Sequence, residues 1–137
     1  AASDVYKRQV AMTRPTRFDP SLNCVGVTRD LAAMPVSAQP DPAVAVTGPT
    51  IGIATMTENA PHGGEMHPYG DEVLYLISGS VNVVFEDETI DAVAMKPGDG
   101  LIVPKGTWHR VDILEPSQIF YATPGPRGEY RAIASNT

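Results

Sequence analysis

The chain has 137 residues, enough for one domain with a single hydrophobic core, and 42% of them are hydrophobic. Its formal net charge of −6 excludes the basic surface that nucleic-acid binding requires, since no stripe of lysine and arginine is available to neutralise phosphates. The single cysteine, Cys24, excludes an internal disulfide, and no apolar run reaches the ~18 residues that a membrane-spanning helix needs.

The first residues differ in character from the rest of the chain. The string Ser-Asp-Val-Tyr-Lys-Arg-Gln within residues 1–9 resembles a translated sequencing-adapter remnant of the kind found in metagenome assemblies. Residues 1–12 are therefore interpreted as a non-native or disordered segment and take no part in the functional argument. The domain itself is expected to cover residues 13–137.

Residues 13–50 are rich in proline and show no sustained helical periodicity. This composition predicts an N-terminal arm that contributes edge strands. Short strands are expected at 24–28 and 43–47. One helical turn is expected at 30–34, before Pro35 interrupts it.

From residue 51 onward, turn-forming residues recur roughly every 6–12 positions, with strand-forming segments between them. This rhythm predicts an all-β domain, an antiparallel sandwich or barrel, over residues 51–137. Strands are predicted at 51–57, 64–67, 73–77, 81–86, 89–95, 101–103, 109–113 and 118–123. Turns are predicted at 68–71, 78–80, 86–88, 96–100 and 104–106.

Two carboxylates and an imidazole lie close together at the start of this region. In an extended segment, Glu65 and His67 are two positions apart and point to the same face of the sheet. The turn at 68–71 then returns the chain, so that Glu72 begins the next strand and faces the same point. An acid, an imidazole and a second acid that converge in this way are typical of a metal site.

Two spaced patterns extend this cluster, and they read Glu65-x-His67-x4-Glu72-x6-Gly79 and Gly98-x5-Pro104-x-Gly106-x2-His109. They resemble the two motifs of the cupin family. The first family motif usually reads His-x-His, three or four residues, Glu, six residues and Gly. The second reads Gly, five residues, Pro-x-Gly, two residues, His, three residues and Asn. The resemblance covers about residues 51–123 and implies a double-stranded β-helix, or jelly-roll barrel.

The resemblance implies that one metal ion is bound inside the barrel by Glu65, His67, Glu72 and His109. Glu65 is the main departure, because the family usually has a histidine there, and Ile113 replaces the frequent final Asn. Two imidazoles and two carboxylates make a harder site than three imidazoles and one carboxylate. The expected cofactor is one divalent transition metal ion per chain, with iron or copper favoured and manganese, zinc or nickel as alternatives. Glu65 as a hydrogen-bond partner of a metal-bound water is the alternative to Glu65 as a ligand.

Two further residues are candidates for catalytic roles. His62, three residues before Glu65, is either a rival fourth ligand, a proton-transfer group at the rim or a solvated loop residue. Tyr69, in the hairpin turn, is the aromatic side chain best placed to contact substrate, with ordinary packing as the alternative. Tyr75 and Trp108 are expected to face away from the metal, because their strand parity is opposite to that of the neighbouring ligands.

The expected function is that of a metal-dependent enzyme with oxidative chemistry at a mononuclear centre. Its substrate would be a small hydroxyl, keto or carboxylate compound, or a sugar-derived one. A redox-inert isomerase or lyase and a non-catalytic module that binds metal or saccharide are alternatives, because one barrel fold hosts many chemistries. A homodimer is expected, with no nucleic-acid or membrane partner. A cytoplasmic bacterial protein is the default expectation, since no basic-then-apolar signal segment is seen.

Overall fold

The computed structural model describes residues 14–38 and 46–134, and within these ranges it contains strands and no helix. The strands are β1 (Asn23–Val27), β2 (Ala33–Ser37), β3 (Thr50–Met56), β4 (Glu65–Met66), β5 (Glu72–Phe85), β6 (Val93–Met95), β7 (Gly100–Val103), β8 (His109–Thr123) and β9 (Glu129–Tyr130). The predicted all-β fold class is confirmed. Among these residues no helix is present that is long and apolar enough to cross a membrane.

The strands form a curled antiparallel sheet in the order β2-β1-β3-β8-β4-β9, and β5 pairs with β6, β7 and β8. The two long strands organise the domain, because β8 pairs with β3, β4 and β5. At one end of the β5–β8 pair, Phe85 lies opposite His109, and at the other end Val73 lies opposite Ala122.

The curl of β5 and β8 follows from the positions of Glu72 and His109. β5 has 14 residues, so a flat strand would place its two ends roughly 45 Å apart. Glu72 begins β5, whereas His109 pairs with Phe85 at its far end. The two side chains nevertheless meet, with His109 Nε2 3.2 Å from Glu72 Oε1. The paired strands must therefore bend back on themselves and close a barrel, which brings the two sequence motifs together.

The bend lies where a turn is predicted at 78–80. That prediction is wrong, because β5 runs without interruption through these residues and its pairing with β8 shows register shifts between Leu76 and Val81. Gly79 has a φ of +91°, a conformation that glycine adopts without steric cost. The Ser-Gly-Ser sequence therefore makes bulges that bend the strand. On the partner strand, the predicted separate strands at 109–113 and 118–123 are joined in β8.

The concave side of the sheet holds the main hydrophobic core. Its buried members come from β5 and from the strands packed against it, and they are Leu74, Leu76, Val81, Val83, Phe85, Met95, Val103 and Ile119. Alternate residues of β5 and β8 contribute to it, as the period of two in a strand requires. A smaller cluster of Cys24, Met34 and Val36 packs beside it against Tyr121.

The N-terminal arm is a hairpin added to the sheet edge through β3. The strand expected at 24–28 is confirmed by β1. The helical turn expected at 30–34 is wrong, because β2 begins at Ala33 and pairs with β1 along its whole length. Cross-strand pairing satisfies the backbone here, and Pro35 is tolerated in β2 because β2 ends the strand order. Most of the strand expected at 43–47 lies outside the described residues.

The predictions for the later strands differ mainly in length. The strands expected at 51–57 and 101–103 are confirmed by β3 and β7. The strand expected at 89–95 is shorter than predicted, since β6 covers only Val93–Met95. Residues 86–92 form bends and turns instead, and the Asp87 carboxylate accepts hydrogen bonds from the backbone and side chain of Thr89.

Candidate metal centre

Four side chains from three strands and one adjoining loop converge at one end of the barrel. His109 begins β8, and Glu65 in β4 lies directly opposite it in the antiparallel register. His67 follows the end of β4, and Glu72 begins β5. His67, Glu72 and His109 are buried, with exposed fractions of 3%, 3% and 0%. The Glu65 side chain is 23% exposed and forms the solvent side of the cluster.

The donor atoms of these residues lie close enough to share one ion. A ligand atom from each of the four side chains lies within 4.8 Å of all the others. His109 Nε2 is 3.3 Å from Glu65 Oε1 and 3.2 Å from Glu72 Oε1. His67 Nε2 is 3.1 Å from Glu72 Oε2. The structure therefore brings together the four residues predicted as metal ligands.

The hydrogen bonding of the His67 ring tests whether these four residues fit a metal ion. Both of its ring nitrogens are buried, and neither has a hydrogen-bond partner within the described structure, although Nε2 lies 3.1 Å from Glu72 Oε2. A buried polar atom without a partner is destabilising. A divalent ion would accept a lone pair from this ring, and imidazole with carboxylate is a donor set that such ions prefer. The residues present fit a divalent metal ion.

Two threonines hold Glu72 and His109, two of the three buried candidate ligands, in place. The hydroxyl of Thr123 donates to Glu72 Oε2 over 2.6 Å. The Nδ1–H of His109 donates to the backbone carbonyl of Thr107 at 3.0 Å, so its Nε2 faces the cluster. Such outer contacts orient metal ligands and fix the imidazole tautomer. Sequence reasoning missed both residues; inward strand parity is the one signal that pointed to Thr123.

The charges of the cluster shift the pKa values of two of its members. Burial disfavours the charged carboxylate of Glu72, but its hydrogen bond with His109 and the close electrostatic contact with His67 lower its pKa to about 2. Burial likewise disfavours a charged imidazole at His109, but its contacts with Glu65 and Glu72 raise its pKa to about 10. Without a metal, His109 therefore carries a proton near neutral pH. That proton occupies the place of a cation between two carboxylates.

His62 lies beside the cluster rather than within it. Its Nε2 is 3.9 Å from Glu65 Oε2, and its ring packs against Tyr130 with the centroids 4.9 Å apart. Its Nδ1 accepts the backbone N–H of Gly64 at 3.1 Å. In the neutral ring the proton is thus on Nε2, which points toward Glu65. This position suits the predicted rim role better than the rival role of fourth ligand.

The other aromatic residues occupy different places. Tyr69 is 51% exposed, lies outside the lining of the cavity above the cluster, and has Arg127 over its ring at 6.0 Å. Its proposed contact with substrate stays a prediction. Tyr75 is 51% exposed, as its strand parity predicts. Arg131 lies over the ring of Trp108, 4.0 Å from its centroid.

A cavity of about 290 Å³ is lined by Glu65, His67 and Glu72, three of the four clustered side chains. Apolar side chains from β3, β5 and β8 make up much of its wall, and they are Ala54, Met56, Leu74, Val111 and Ile119. His62 and Tyr130 lie where this cavity meets a wider surface groove. Sequence reasoning missed Tyr130, since residues 124–129 precede it as a loop-like segment with no strand pattern.

Tyr121 also contributes an aromatic side chain to the cavity wall. Burial, together with the neighbouring Cys24 and Glu72, raises the pKa of its hydroxyl to about 12. The ring passes so close to β3 that a Cβ at Gly52 would lie 2.6 Å from the Tyr121 hydroxyl oxygen. Glycine at position 52 therefore makes room for this side chain.

Comparison with known proteins agrees with this geometry. A family model described as a cupin domain matches residues 52–120, which is half of the chain. No curated protein matches the chain significantly in sequence.

Three solved structures with the same fold are similar to this chain to the same extent. A protein with a double-stranded β-helix domain from Klebsiella pneumoniae is 17% identical, with a TM-score of 0.51 over 65% of this chain and 79% of that one. A protein of unknown function from Streptococcus pyogenes is 18% identical, with a TM-score of 0.51 over 61% and 70%. Salicylate 1,2-dioxygenase from Pseudoaminobacter salicylatoxidans is 13% identical, with a TM-score of 0.51 over 62% and 26%.

At these identities the structural likeness shows the fold alone, and it confirms the predicted double-stranded β-helix. The family match covers the strands that carry both motifs, from β3 to the second half of β8. It also includes all four clustered side chains. The chain belongs to the cupin family.

Proposed function

We propose that this protein is a metal-dependent enzyme that carries out oxidative chemistry on a small hydroxyl or keto compound. One observation carries the proposal. Four side chains that could bind a metal ion lie together, three of them line one cavity, and the remaining wall of that cavity is largely apolar. A cavity of about 290 Å³ lies at the lower limit of the size range of ligand sites. It therefore suits a small molecule that approaches the ligands directly.

The four ligands would hold one divalent ion with no net charge on the site. Glu65 and Glu72 supply two negative charges, and His67 and His109 bind as neutral imidazoles. Thr123 and Thr107 would keep Glu72 and His109 oriented toward the ion. A redox-active ion held there would supply electron transfer and a Lewis acid for a substrate oxygen. Iron or copper is favoured on this ground.

The charges around the cavity favour an uncharged substrate. Arg110 is the one lysine or arginine among the described residues that line it. Its guanidinium already forms a two-point ion pair with Asp112, including an Nη2–Oδ2 contact of 3.0 Å. A substrate carboxylate would therefore meet no unpaired cationic side chain in the described wall. A hydroxyl or keto group requires no such partner, so we place carboxylates lower among the expected substrates.

His62 and Glu65 would act where the substrate enters. Glu65 is the most exposed of the four ligands, and the Nε2 of His62 points toward it. We assign His62 the role of a hydrogen-bond donor that orients either Glu65 or a substrate oxygen at the rim. The packing of its ring against Tyr130 limits its rotation. The likeness to salicylate 1,2-dioxygenase is consistent with oxidative chemistry but concerns the fold alone.

A redox-inert isomerase or lyase is the second candidate function. The observation that favours it is the pair of carboxylates in the donor set, since manganese and zinc accept oxygen ligands readily. In that case the ion would polarise a substrate carbonyl without changing its oxidation state. The identity of the metal separates the two candidates.

The first experiment is elemental analysis of protein purified without added metal. Iron or copper near one ion per chain is the result expected from the oxidative proposal, whereas zinc, manganese or nickel would favour the isomerase or lyase. Oxygen consumption should then be measured with a reductant and a panel of small hydroxyl and keto compounds. A protein that binds metal but shows no turnover above free metal would be a binding module, which would overturn the proposal.

The ligand role of Glu65 needs a separate test. Glu65→Ala is expected to lower the metal content after dialysis against a chelator. The matched control is Glu129→Ala, because Glu129 lies in β9, in the strand paired with β4, and is not one of the four clustered residues. Equal metal content in the wild type and Glu65→Ala would show that Glu65 is not a ligand.

A further inference from the structure

β3 has an unpaired edge on the side that faces β1. Among the described residues, β1 pairs with β3 at just two positions, and the pairing ends where Val25 lies opposite Ile51. On its other side, β3 continues to pair with β8 as far as Met56. Within the described part of the chain, residues 53–56 therefore have a paired strand on one side only. We call their unpaired side the open edge.

The alternation of the antiparallel ladder directs backbone groups toward the open edge. The N–H of Val27 donates to the carbonyl oxygen of Pro49. Residue 49 and every second residue after it therefore turn their N–H and C=O groups toward the β1 side. Ile53 and Thr55 belong to this series, so their backbone groups point to the side where β1 no longer pairs. Backbone groups at such an edge are a template for another extended chain.

A groove of about 850 Å³ runs along the open edge. Its lining includes residues 53–56 of β3 and, from the two ends of the β1–β2 hairpin, Ser21 and Ala38. These two side chains are small, so the backbone of a bound chain can come close to β3. His62 and Glu65 line both this groove and the cavity at the candidate metal centre. A ligand in the groove therefore reaches the metal centre without a break.

The spacing of the backbone groups along the open edge indicates the chemistry of that ligand. Ile53 and Thr55 are two residues apart, so their donors and acceptors repeat at about 6.8 Å. An extended peptide backbone repeats its own N–H and C=O groups at the same distance and can pair with both residues, as in strand addition to a sheet edge. A saccharide or an aliphatic chain has no such repeat of donors and acceptors. The open edge therefore favours a peptide-like ligand.

The charges of the groove bear on the side chains of this ligand. Glu58 and Glu65 are in the lining, and no Lys or Arg is among the described residues that line the groove. The chain as a whole has a formal net charge of −6. An acidic ligand would be repelled and would find no cation there, whereas a neutral or basic one would not be repelled. The groove therefore favours a chain without acidic side chains.

We propose that the substrate is a short peptide-like chain without acidic side chains, which pairs with the open edge and places a hydroxyl or keto group in the cavity. The N–H and C=O groups of Ile53 and Thr55 bind its backbone. The groove directs one end of the chain toward His62 and Glu65. This inference rests on the proposed oxidative function and specifies the substrate class of the same site.

The test is binding of a blocked peptide, acetyl-trialanine amide, to the full chain loaded with Zn²⁺. A titration followed by NMR of the backbone amides should shift the signals of Ile53 and Thr55. The depsipeptide analogue, in which ester oxygens replace the amide N–H groups of the probe, should bind roughly five- to tenfold more weakly, because it loses the donors of the strand pairing. This comparison uses the wild type alone and does not depend on the folding of a variant.

A substitution in β3 tests the same contact from the side of the protein. Thr55→Pro removes one N–H from the open edge and should weaken peptide binding by about tenfold, while proline is tolerated at a sheet edge. The matched control is Ile102→Pro. Among the described residues, Ile102 lies in a strand that pairs with β5 alone, and strand alternation directs its N–H away from β5. This variant should bind the peptide like the wild type.

Three results would overturn the inference. They are the absence of peptide-dependent shifts at the open edge, equal affinity for the peptide and its depsipeptide analogue, and equal affinities of Thr55→Pro and Ile102→Pro for the peptide. Binding is measured without turnover, so its failure leaves the oxidative proposal intact. Conversely, a chain that binds the peptide but shows no oxidation of hydroxyl or keto compounds would refute the oxidative proposal and leave the peptide site in place.

Discussion

The hydrogen bond from Thr123 to Glu72 offers a sharp test of how the candidate metal centre is held. The Thr123 hydroxyl donates to a buried carboxylate oxygen over 2.6 Å. Thr123→Val keeps the shape of the side chain and removes the donor. A hydrogen bond to a charged group contributes about 1.5–3 kcal/mol, and each 1.36 kcal/mol corresponds to a factor of ten in an equilibrium constant. Loss of this bond should therefore weaken metal binding by about 10- to 100-fold, as is usual for residues that orient a ligand.

The assay is calorimetric titration of metal-stripped protein with Zn²⁺ in the presence of a competing chelator. Thr50→Val is the matched control, because Thr50 lies opposite Thr123 across β3 and β8 and also lines the cavity. Among the described residues, Thr50 donates no hydrogen bond to Glu72, so its substitution should leave the Zn²⁺ affinity within about twofold. Equal affinities for Thr123→Val and the wild type would show that this hydrogen bond does not orient Glu72 for metal binding, and so would an equal loss in the two variants.

Three further predictions concern pH and stability. The pKa of His109 is raised to about 10 in the metal-free protein. Because Zn²⁺ must displace this proton, its affinity should rise up to about tenfold per pH unit from pH 6 to 9. A calorimetric Zn²⁺ affinity that does not change with pH would contradict this prediction. Protonated His109 should stabilise the metal-free fold fully below pH 6.5, and this stabilisation should disappear as pH rises through about 10. The measurement is the free energy of unfolding in urea as a function of pH. Gly79→Ala should lower the free energy of unfolding more than Gly98→Ala does in the same assay, because both glycines have positive φ but only a Cβ at Gly79 would lie 2.1 Å from Ser117 Oγ. Gly98→Ala should cost about 1 kcal/mol. Equal losses in the two variants would show that the clash at Gly79 is relieved.

Three of the four candidate ligands were predictable because their approach depends on local spacing. Glu65 and His67 are two positions apart, and Glu72 follows after one turn, so the hairpin geometry alone directs them to one point. His109 required the second motif, since its approach to Glu72 depends on the bend in β5 and β8. Strand parity also predicted that Tyr75 faces outward.

The features that sequence reasoning missed depend on contacts distant in the chain. Ser78-Gly79-Ser80 has the composition of a turn, and only the continued pairing of β5 with β8 makes it a bend within one strand. The helical turn at 30–34 gave way to a hairpin because β1 offered a partner strand. Thr123 and Glu72 are 51 positions apart, and no local pattern joins them. The packing of Tyr130 against His62 likewise depends on β9 pairing with β4.

We propose that one divalent metal ion is bound between Glu65, His67, Glu72 and His109. Anomalous diffraction at the absorption edge of the metal, from crystals grown with one equivalent of Zn²⁺ per chain, tests it most directly. One dominant anomalous peak is expected within coordination distance of both imidazoles and both carboxylates. A peak bound by other residues, or the absence of a peak among these four, would contradict it.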